Sequence, residues 1–263
     1  MAKWNTWIGG AAAAFAAAGL VAAAPPAAAQ SLDMGSLGGS AEGSSWTGNS
    51  TGSLFCGTTT VYPFLQWGWH PDSSRAPQFA ENPEGVSGGT GAGSLDVGVD
   101  GPSDVVAFLH PTHTALVQAE GLGMDMFLDG NVGPSYQLRV IGAERTDSGG
   151  DGHDVGFTSL VWEPRYNGGN PAAGQWKSYS NLEDGQWWST RDIAGTSGRT
   201  PVSLQTIKDA NPEAQITNYG VQVGSGAAAS TQFVDKIRFG CTTWDFETLS
   251  GFSSGSDGSS GSN

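Results

Sequence analysis

Four aromatic residues near one predicted turn are the side chains best suited to hold a ligand. Trp176, Tyr179, Trp187 and Trp188 lie in the run WKSYSNLEDGQWW. Its two halves predict a β-hairpin, and because successive strand residues point to opposite faces, Trp187 and Trp188 diverge. An indole that faces solvent can stack on the flat C–H face of a sugar ring. We therefore predict a carbohydrate platform made of the outward indole and Trp176 or Tyr179; the alternative is that all these rings fill the core.

A second aromatic pair, Trp67 and Trp69, lies in the run LQWGWHP. Residues two apart in a strand share a face, so the pair poses the same choice between a ligand platform and core packing.

Histidines are the candidates for a zinc site. His110 and His113 lie in HPTH, but the chain contains no HExxH motif. We interpret both as surface residues of a turn.

Aspartates among glycines form a candidate calcium site. Asp147, Asp151 and Asp154 lie in TDSGGDGHDVG, where the backbone could wrap around an ion and supply oxygen ligands. The run lacks the Asp spacing and the closing Glu of an EF-hand loop. The alternative to structural calcium is a solvated hairpin turn, because Asp and Gly are common turn residues.

Asp235 is a second candidate for the same ion. It lies between Phe233 and Ile237 in FVDKIRF, and strict alternation would place all three on one face of a strand. A buried carboxylate without a partner is costly. The partner is predicted to be a calcium ion shared with Asp245 or Glu247, a nearby arginine, or backbone amides.

Carboxylates are the candidates for catalysis. Glycoside hydrolysis uses two of them, one on either side of the bond that is broken. Glu163 in LVWEPRYN could pair with Glu120 or Asp125 from QAEGLGMDM. The alternative is that Glu163 accepts hydrogen bonds from a nearby arginine.

The elements that position these residues are predicted to be strands. Short runs in which apolar and polar residues alternate are bounded by Gly, Asn, Asp or Pro, as in half-buried antiparallel strands. One short helix is predicted in VSLQTIKDA, after Thr200-Pro201 and before Asn211-Pro212. The predicted fold is an all-β, antiparallel, jelly-roll-like sandwich with one short helix. The alternating apolar positions include Leu95, Val97, Val99, Met124, Met126, Leu138, Val140, Tyr219, Val221 and Val223.

Both ends of the chain differ in composition from this core. Residues 1–29 combine a single charge with an Ala-rich apolar run and a small-residue cleavage site, which is typical of a secretory signal peptide. Residues 30–53 are predicted to be a flexible Gly/Ser-rich lead-in, and residues 248–263 a disordered Gly/Ser-rich tail. One sandwich domain is predicted over residues 54–247 of a secreted, extracellular protein.

The chain has two cysteines, Cys56 and Cys241, one near each end of the predicted domain. In an exported protein, two cysteines most often form a disulfide. Such a bridge would place the first and last strands side by side. The alternative is two free thiols that bind metal or act in catalysis.

The charge balance argues against several partners. The chain has 25 Asp and Glu against 11 Lys and Arg, which gives a formal net charge of −14. Nucleic acid and anionic membranes repel a protein this acidic. We predict no nucleic-acid partner, no membrane insertion and a monomer.

The later runs resemble a protein family. LVWEPRYN, GQWKSY, GQWWSTRDI, VGSG, FVDKIRFG and TTWDFE follow one another from Phe157 onward. The series resembles a mostly uncharacterised family of secreted bacterial proteins, common in actinomycetes, with a signal peptide and one jelly-roll-like β-sandwich. FVDKIRF also resembles the closing strand of jelly-roll carbohydrate-binding modules. The resemblance covers Leu95 to Glu247 and implies a fold and an exported location, with no established activity.

Three functions are compatible with these observations. The first is a non-catalytic protein that binds carbohydrate or a cell-surface glycan through exposed aromatic rings, with or without structural calcium. The second is a glycan-cleaving hydrolase that uses Glu163 and a second acid. The third is a surface structural or adhesive protein with no small-molecule site. We take the first as the working hypothesis.

Overall fold

The computed structural model describes residues 57–73, 75–83, 93–130, 132–147, 156–224 and 227–249. All of them lie within one compact unit of the chain, Gly48–Asn263. The predicted signal peptide, the lead-in and nearly all of the predicted tail lie outside these ranges. The same is true of Cys56, Asp151 and Asp154.

Within the described ranges, fourteen strands form two sheets of seven strands each. The first sheet contains β1 (Gly57–Val61), β3 (Gln78–Glu81), β4 (Gly93–Asp96), β6 (Gly123–Asp129), β9 (Gln175–Ser180), β13 (Thr231–Phe239) and β14 (Thr242–Phe246). The second contains β2 (His70–Pro71), β5 (Val106–Ala115), β7 (Ser135–Ile141), β8 (Thr158–Trp162), β10 (Gln186–Ser189), β11 (Val202–Ser203) and β12 (Gln215–Val223).

The strand order is linear in the second sheet and branches at one strand in the first. In the second sheet the order is β11-β10-β8-β7-β12-β5-β2. In the first sheet, β13 pairs with β6, β4 and β14, while β9, β3 and β1 occupy the outer positions. Apart from the parallel β1–β14 pair, the ladders between these strands are antiparallel. The structure confirms the predicted antiparallel β-sandwich with one short helix.

The core consists of side chains that both sheets direct inward, and the predicted alternating positions are among them. Full burial of an aliphatic or aromatic side chain contributes about 1.5–3 kcal/mol, so these positions carry much of the stability. The buried residues include every predicted member of the alternating set: Leu95, Val97, Val99, Met124, Met126, Leu138, Val140, Tyr219, Val221 and Val223.

Strict alternation fails in β13. Lys236 has a positive φ of 50°, and the ladder to β6 shifts register between Asp235 and Arg238. This bulge puts Ile237 in the core, so the prediction that Phe233, Asp235 and Ile237 share one face is wrong. Asp235 is nevertheless buried, and its Oδ1 accepts a hydrogen bond from the backbone N–H of Phe246 at 2.9 Å. The predicted backbone-amide partner is therefore present.

The predicted helix is α1 (Leu204–Ala210). It begins two residues after the start of the predicted run VSLQTIKDA, because Ser203 is the N-cap and accepts a hydrogen bond from the N–H of Thr206. Leu204 and Ile207 are fully buried against the core. None of the helices in the described part of the chain is long and apolar enough to span a bilayer.

The first and last strands are neighbours, as the cysteine positions predicted. β1 and β14 pair in parallel, with Gly57 opposite Thr242, and the N–H of Gly57 donates a hydrogen bond to the carbonyl of Cys241 at 2.9 Å. Gly57 directly follows Cys56, which lies outside the described residues. The disulfide itself remains a prediction, and the backbone register supports it.

Candidate functional site

The predicted hairpin around the four aromatic residues does not form. β9 pairs with β6 in the first sheet, whereas β10 pairs with β8 and β11 in the second. The chain crosses between the sheets through a short 3₁₀ turn, Leu182–Asp184. Leu182 is buried in the core and anchors this crossing. Trp176 and Trp188 are therefore in different sheets rather than on facing strands.

Two of the four predicted platform residues belong to the core. Trp187 is fully buried and its indole N–H donates a hydrogen bond to the carbonyl of Leu182 at 2.8 Å. Tyr179 is 6% exposed and its hydroxyl donates to the carbonyl of Gly169 at 2.8 Å. Burial raises the pKa of Tyr179 to about 12. Neither ring presents a face to solvent. For Tyr179 and Trp187, the alternative prediction that the rings fill the core is therefore confirmed.

Trp176 lies in an aromatic row on the outer face of the first sheet. It stands opposite Phe127, which in turn stands opposite Phe233 on β13. The ring centroids are 5.7 and 5.9 Å apart along the row. Trp176 is half-buried, and its rings pack mainly against these apolar neighbours.

Trp188 is the outward indole of the adjacent pair. It stands opposite Val161 of β8 and is half-buried on the outer face of the second sheet. Its N–H donates a hydrogen bond to Oε2 of Glu163 at 2.8 Å, and the Arg199 guanidinium carbon lies 5.7 Å from the ring centroid. Arg165 donates to the same Oε2 through Nε at 3.0 Å, and one of its terminal nitrogens forms an ion pair with that oxygen at 2.8 Å. The Trp188 site consists of Glu163, Arg165, Gln186, Trp188 and Arg199.

Asn167 fixes the two halves of the Trp188 site relative to each other. Its side-chain amide donates to the carbonyls of Glu163 and Gln186 at 2.9 and 3.0 Å. Its amide oxygen accepts from the backbone N–H of Gln186 at 2.7 Å. The turn that carries Glu163 is thereby tied to β10, which carries Trp188, so the indole and the carboxylate are preorganised.

The hydrogen bonds of Glu163 leave one oxygen available. All the bonds from Trp188 and Arg165 converge on Oε2, and no described residue donates to Oε1. The Glu163 side chain is 19% exposed and that of Arg165 is 62% exposed. An aromatic plane, a carboxylate acceptor and guanidinium donors are thus available on one surface, and ligand sites combine such apolar and polar groups.

The predicted catalytic carboxylates are not brought together. Asp125 lies in β6 of the first sheet and pairs with Arg238 at 3.2 Å, whereas Glu163 follows β8 of the second sheet. Glu120 is exposed just after the 3₁₀ turn Leu116–Gln118. Glu163 accepts from arginine, as its alternative interpretation predicted.

The predicted calcium ligands have other partners where they are described. Asp147 accepts from Nε of Arg145 at 2.7 Å, and Asp235 accepts the backbone amide described above. Within the described ranges, no group of three or more His, Cys, Asp or Glu side chains is arranged to hold a metal ion. Asp151 and Asp154 lie outside those ranges, and calcium stays a prediction.

The HPTH histidines lie in strand β5 rather than in a turn. His113 is exposed, but the ring of His110 packs 4.7 Å from the ring of Trp244 and 5.2 Å from that of Tyr219. His110 Nε2 donates to the carbonyl of Trp67 at 3.1 Å, and its buried Nδ1 has no hydrogen-bond partner among the described residues. Burial lowers the pKa of His110, and the carbonyls it faces oppose this shift.

Trp67 and Trp69 do not share a face. Trp67 has a φ of 51° and Gly68 a φ of 96°, so this segment is a turn in which alternation does not apply. Trp69 is buried and stacks on Phe108 at 5.3 Å, whereas Trp67 is 43% exposed and donates its N–H to the carbonyl of Thr60.

No protein-family model and no curated protein matches this chain.

Proposed function

We propose that this protein is a secreted, non-catalytic β-sandwich that binds a polysaccharide or cell-surface glycan at the Trp188 site. The observation that carries the proposal is the outward indole of Trp188, held by the carboxylate of Glu163 beside two exposed arginines. Of the four aromatic residues predicted to form a platform, Trp188 alone combines partial exposure with polar side chains around the ring.

The chemistry of this surface suits sugars. A pyranose ring offers flat C–H faces and a rim of hydroxyl groups, so it is recognised by an aromatic plane together with fixed donors and acceptors. At the Trp188 site, Oε1 of Glu163 is available to accept hydrogen bonds from a sugar, and the side chains of Arg165, Arg199 and Gln186 can donate them. The bond from Trp188 to Glu163 holds the indole plane in place, which reduces the entropy lost on binding.

A binding role fits these carboxylates better than a hydrolytic one. Glycosidases use two carboxyl groups that flank one glycosidic bond. Glu163 is engaged by Arg165 and Trp188, and its predicted partner Asp125 lies in the other sheet with Arg238. Export is supported by the signal-peptide pattern of residues 1–29.

Affinity electrophoresis tests the proposal. The mature protein is run through native gels that contain soluble polysaccharides of different composition, and its retardation is measured. Trp188→Ala is expected to abolish retardation by the polysaccharide that binds, with little change in melting temperature. The control is Val117→Ala, which truncates an exposed apolar side chain outside the Trp188 site and should leave retardation unchanged.

Two results would overturn the proposal. Retardation of the wild type by no polysaccharide in the panel would favour the structural or adhesive role. Release of new reducing ends during incubation with a polysaccharide, lost in Glu163→Gln, would favour the hydrolase.

A further inference from the structure

The basic side chains of this acidic protein differ in whether they form ion pairs. Lys177 and Lys208 donate to backbone carbonyls. Among the described residues, Arg191 and Arg199 form no ion pair, and both are exposed. The remaining described basic residues are each paired with Asp or Glu: Arg75, Arg139, Arg145, Arg165, Lys236 and Arg238.

Arg199 differs from Arg191 in its position. Its guanidinium carbon lies 5.7 Å from the Trp188 ring centroid, which is within the range of cation–π attraction. The backbone N–H of Arg199 donates to the carbonyl of Ser189 at 3.0 Å, which ties the residue to the end of β10. A cation that pairs with no carboxylate in the described ranges is thus held beside the indole.

The local charge of the Trp188 site is opposite in sign to that of the protein. Arg165 neutralises Glu163 through a hydrogen bond and an ion pair to the same oxygen, which leaves the charge of Arg199 uncompensated within the site. The formal net charge of the chain is −14. Charges farther away than about 8 Å are largely screened at physiological ionic strength, so the nearby arginine decides which ligand the site favours.

We infer that the Trp188 site binds an acidic glycan, whose sugar ring packs against Trp188 and whose carboxylate accepts hydrogen bonds from Arg199. The inference rests on the proposed function and specifies its ligand class. A guanidinium presents parallel N–H donors that match the two oxygens of a uronate carboxylate, and this geometry is more specific than that of an ammonium group. The side-chain amide of Gln186 and the carboxylate of Glu163, whose charge is balanced by Arg165, are then available to hydrogen-bond the sugar hydroxyls.

A pair of polysaccharides that differ in charge alone tests the inference. Polygalacturonate carries a carboxylate on each sugar, and its methyl-esterified form has the same backbone without the charge. We expect the mature protein to bind polygalacturonate at least about tenfold more tightly at low salt. The preference should narrow as salt is raised, because exposed charges are screened.

Three variants assign the preference to a residue. Arg199→Gln should bring the affinities for the two polysaccharides to within about twofold, and Arg199→Lys should retain part of the preference because the charge remains. Arg191→Gln is the matched control, since it removes an equally unpaired, exposed arginine with no contact to Trp188, and it should leave the preference unchanged.

The outcomes separate the two proposals. Equal affinity of the wild type for both polysaccharides, or equal loss of preference in the Arg199 and Arg191 variants, overturns the acidic-glycan inference but leaves glycan binding intact. Loss of all binding in Trp188→Ala together with a normal preference in Arg199→Gln also overturns it. Absence of binding to every polysaccharide overturns the proposed function as well.

Discussion

The indole nitrogen of Trp188 lies 2.8 Å from Oε2 of Glu163, so one hydrogen bond joins the outer face of β10 to the turn after β8. Arg165 donates to the same oxygen. The relationship orients a half-buried aromatic ring, because an indole N–H has a single direction in which it can donate. Glu163 therefore positions the ring of Trp188.

Substitution of Glu163 tests this role. Glu163→Gln keeps an oxygen for the Trp188 N–H, so we expect polysaccharide retardation to persist. Glu163→Ala removes the acceptor and should weaken binding severalfold, with a loss of about 0.5–1.5 kcal/mol in the free energy of unfolding. Affinity electrophoresis and urea denaturation measure the two effects. Full retardation of Glu163→Ala would show that the ring does not depend on this carboxylate.

Substitutions of the two adjacent tryptophans are expected to have different effects on stability and on binding. Trp187→Ala removes a fully buried ring and the hydrogen bond to Leu182, and it should cost about 3–5 kcal/mol through the cavity that it leaves. Trp188→Ala should cost much less, because its ring is partly exposed. Urea denaturation of both variants checks this order. A similar loss in both variants would mean that Trp188 is a structural residue.

His110 is expected to make stability depend on pH. Burial lowers its pKa from the ordinary value of 6.5, so the unfolded chain takes up the proton first as the pH falls. The stability contributed by neutral His110 is therefore complete above about pH 6.5 and is lost progressively below it. Between about pH 7.5 and pH 5, the melting temperature of the wild type should fall more than that of His110→Gln. An equal fall in the melting temperature of the wild type and of His110→Gln would contradict this prediction.

The predicted bond between Cys56 and Cys241 is tested by thiol counting. The denatured mature protein should show no free thiol until a reductant is added. Reduction should lower the free energy of unfolding by up to about 5 kcal/mol, since the bridge closes a long loop, although measured gains are often smaller. Cys241→Ser should show the same loss without reductant. Two reactive thiols in the untreated protein would exclude the bond.

Structural calcium is tested by chelation. If the Asp147–Asp154 loop holds an ion in the folded state alone, a chelator should lower the melting temperature and excess calcium should restore it. The triple substitution of Asp147, Asp151 and Asp154 by Asn should abolish this response. An unchanged melting curve would leave the loop as a solvated turn, with Asp147 paired to Arg145.

Alternation predicted the faces of most strands but not the sheet to which each strand belongs. Leu138 and Val140 point inward because the period of two is a property of a single extended chain. The hairpin through Trp176 and Trp188 was wrong because the crossing at Leu182 depends on buried contacts with residues far apart in sequence. The N–H of Leu182 donates to the carbonyl of Leu122, and no local pattern indicates that bond.

The alternation pattern also did not predict local irregularities of the backbone. The bulge at Lys236 moves Ile237 to the core face, and the turn at Trp67 breaks the spacing that paired it with Trp69. Both depend on positive φ angles in residues other than glycine, which composition does not signal.

By itself, the sequence determined the fold class, the short helix, the adjacency of the first and last strands, and the divergence of Trp187 and Trp188. These follow from spacing and composition, which act over a few residues. The tertiary structure alone decided which of the two indoles faces outward, that Glu163 holds it, and that Arg199 lies over its ring. The physical reason is that exposure and charge pairing depend on which strands become neighbours, and burial of one contiguous core selects those neighbours.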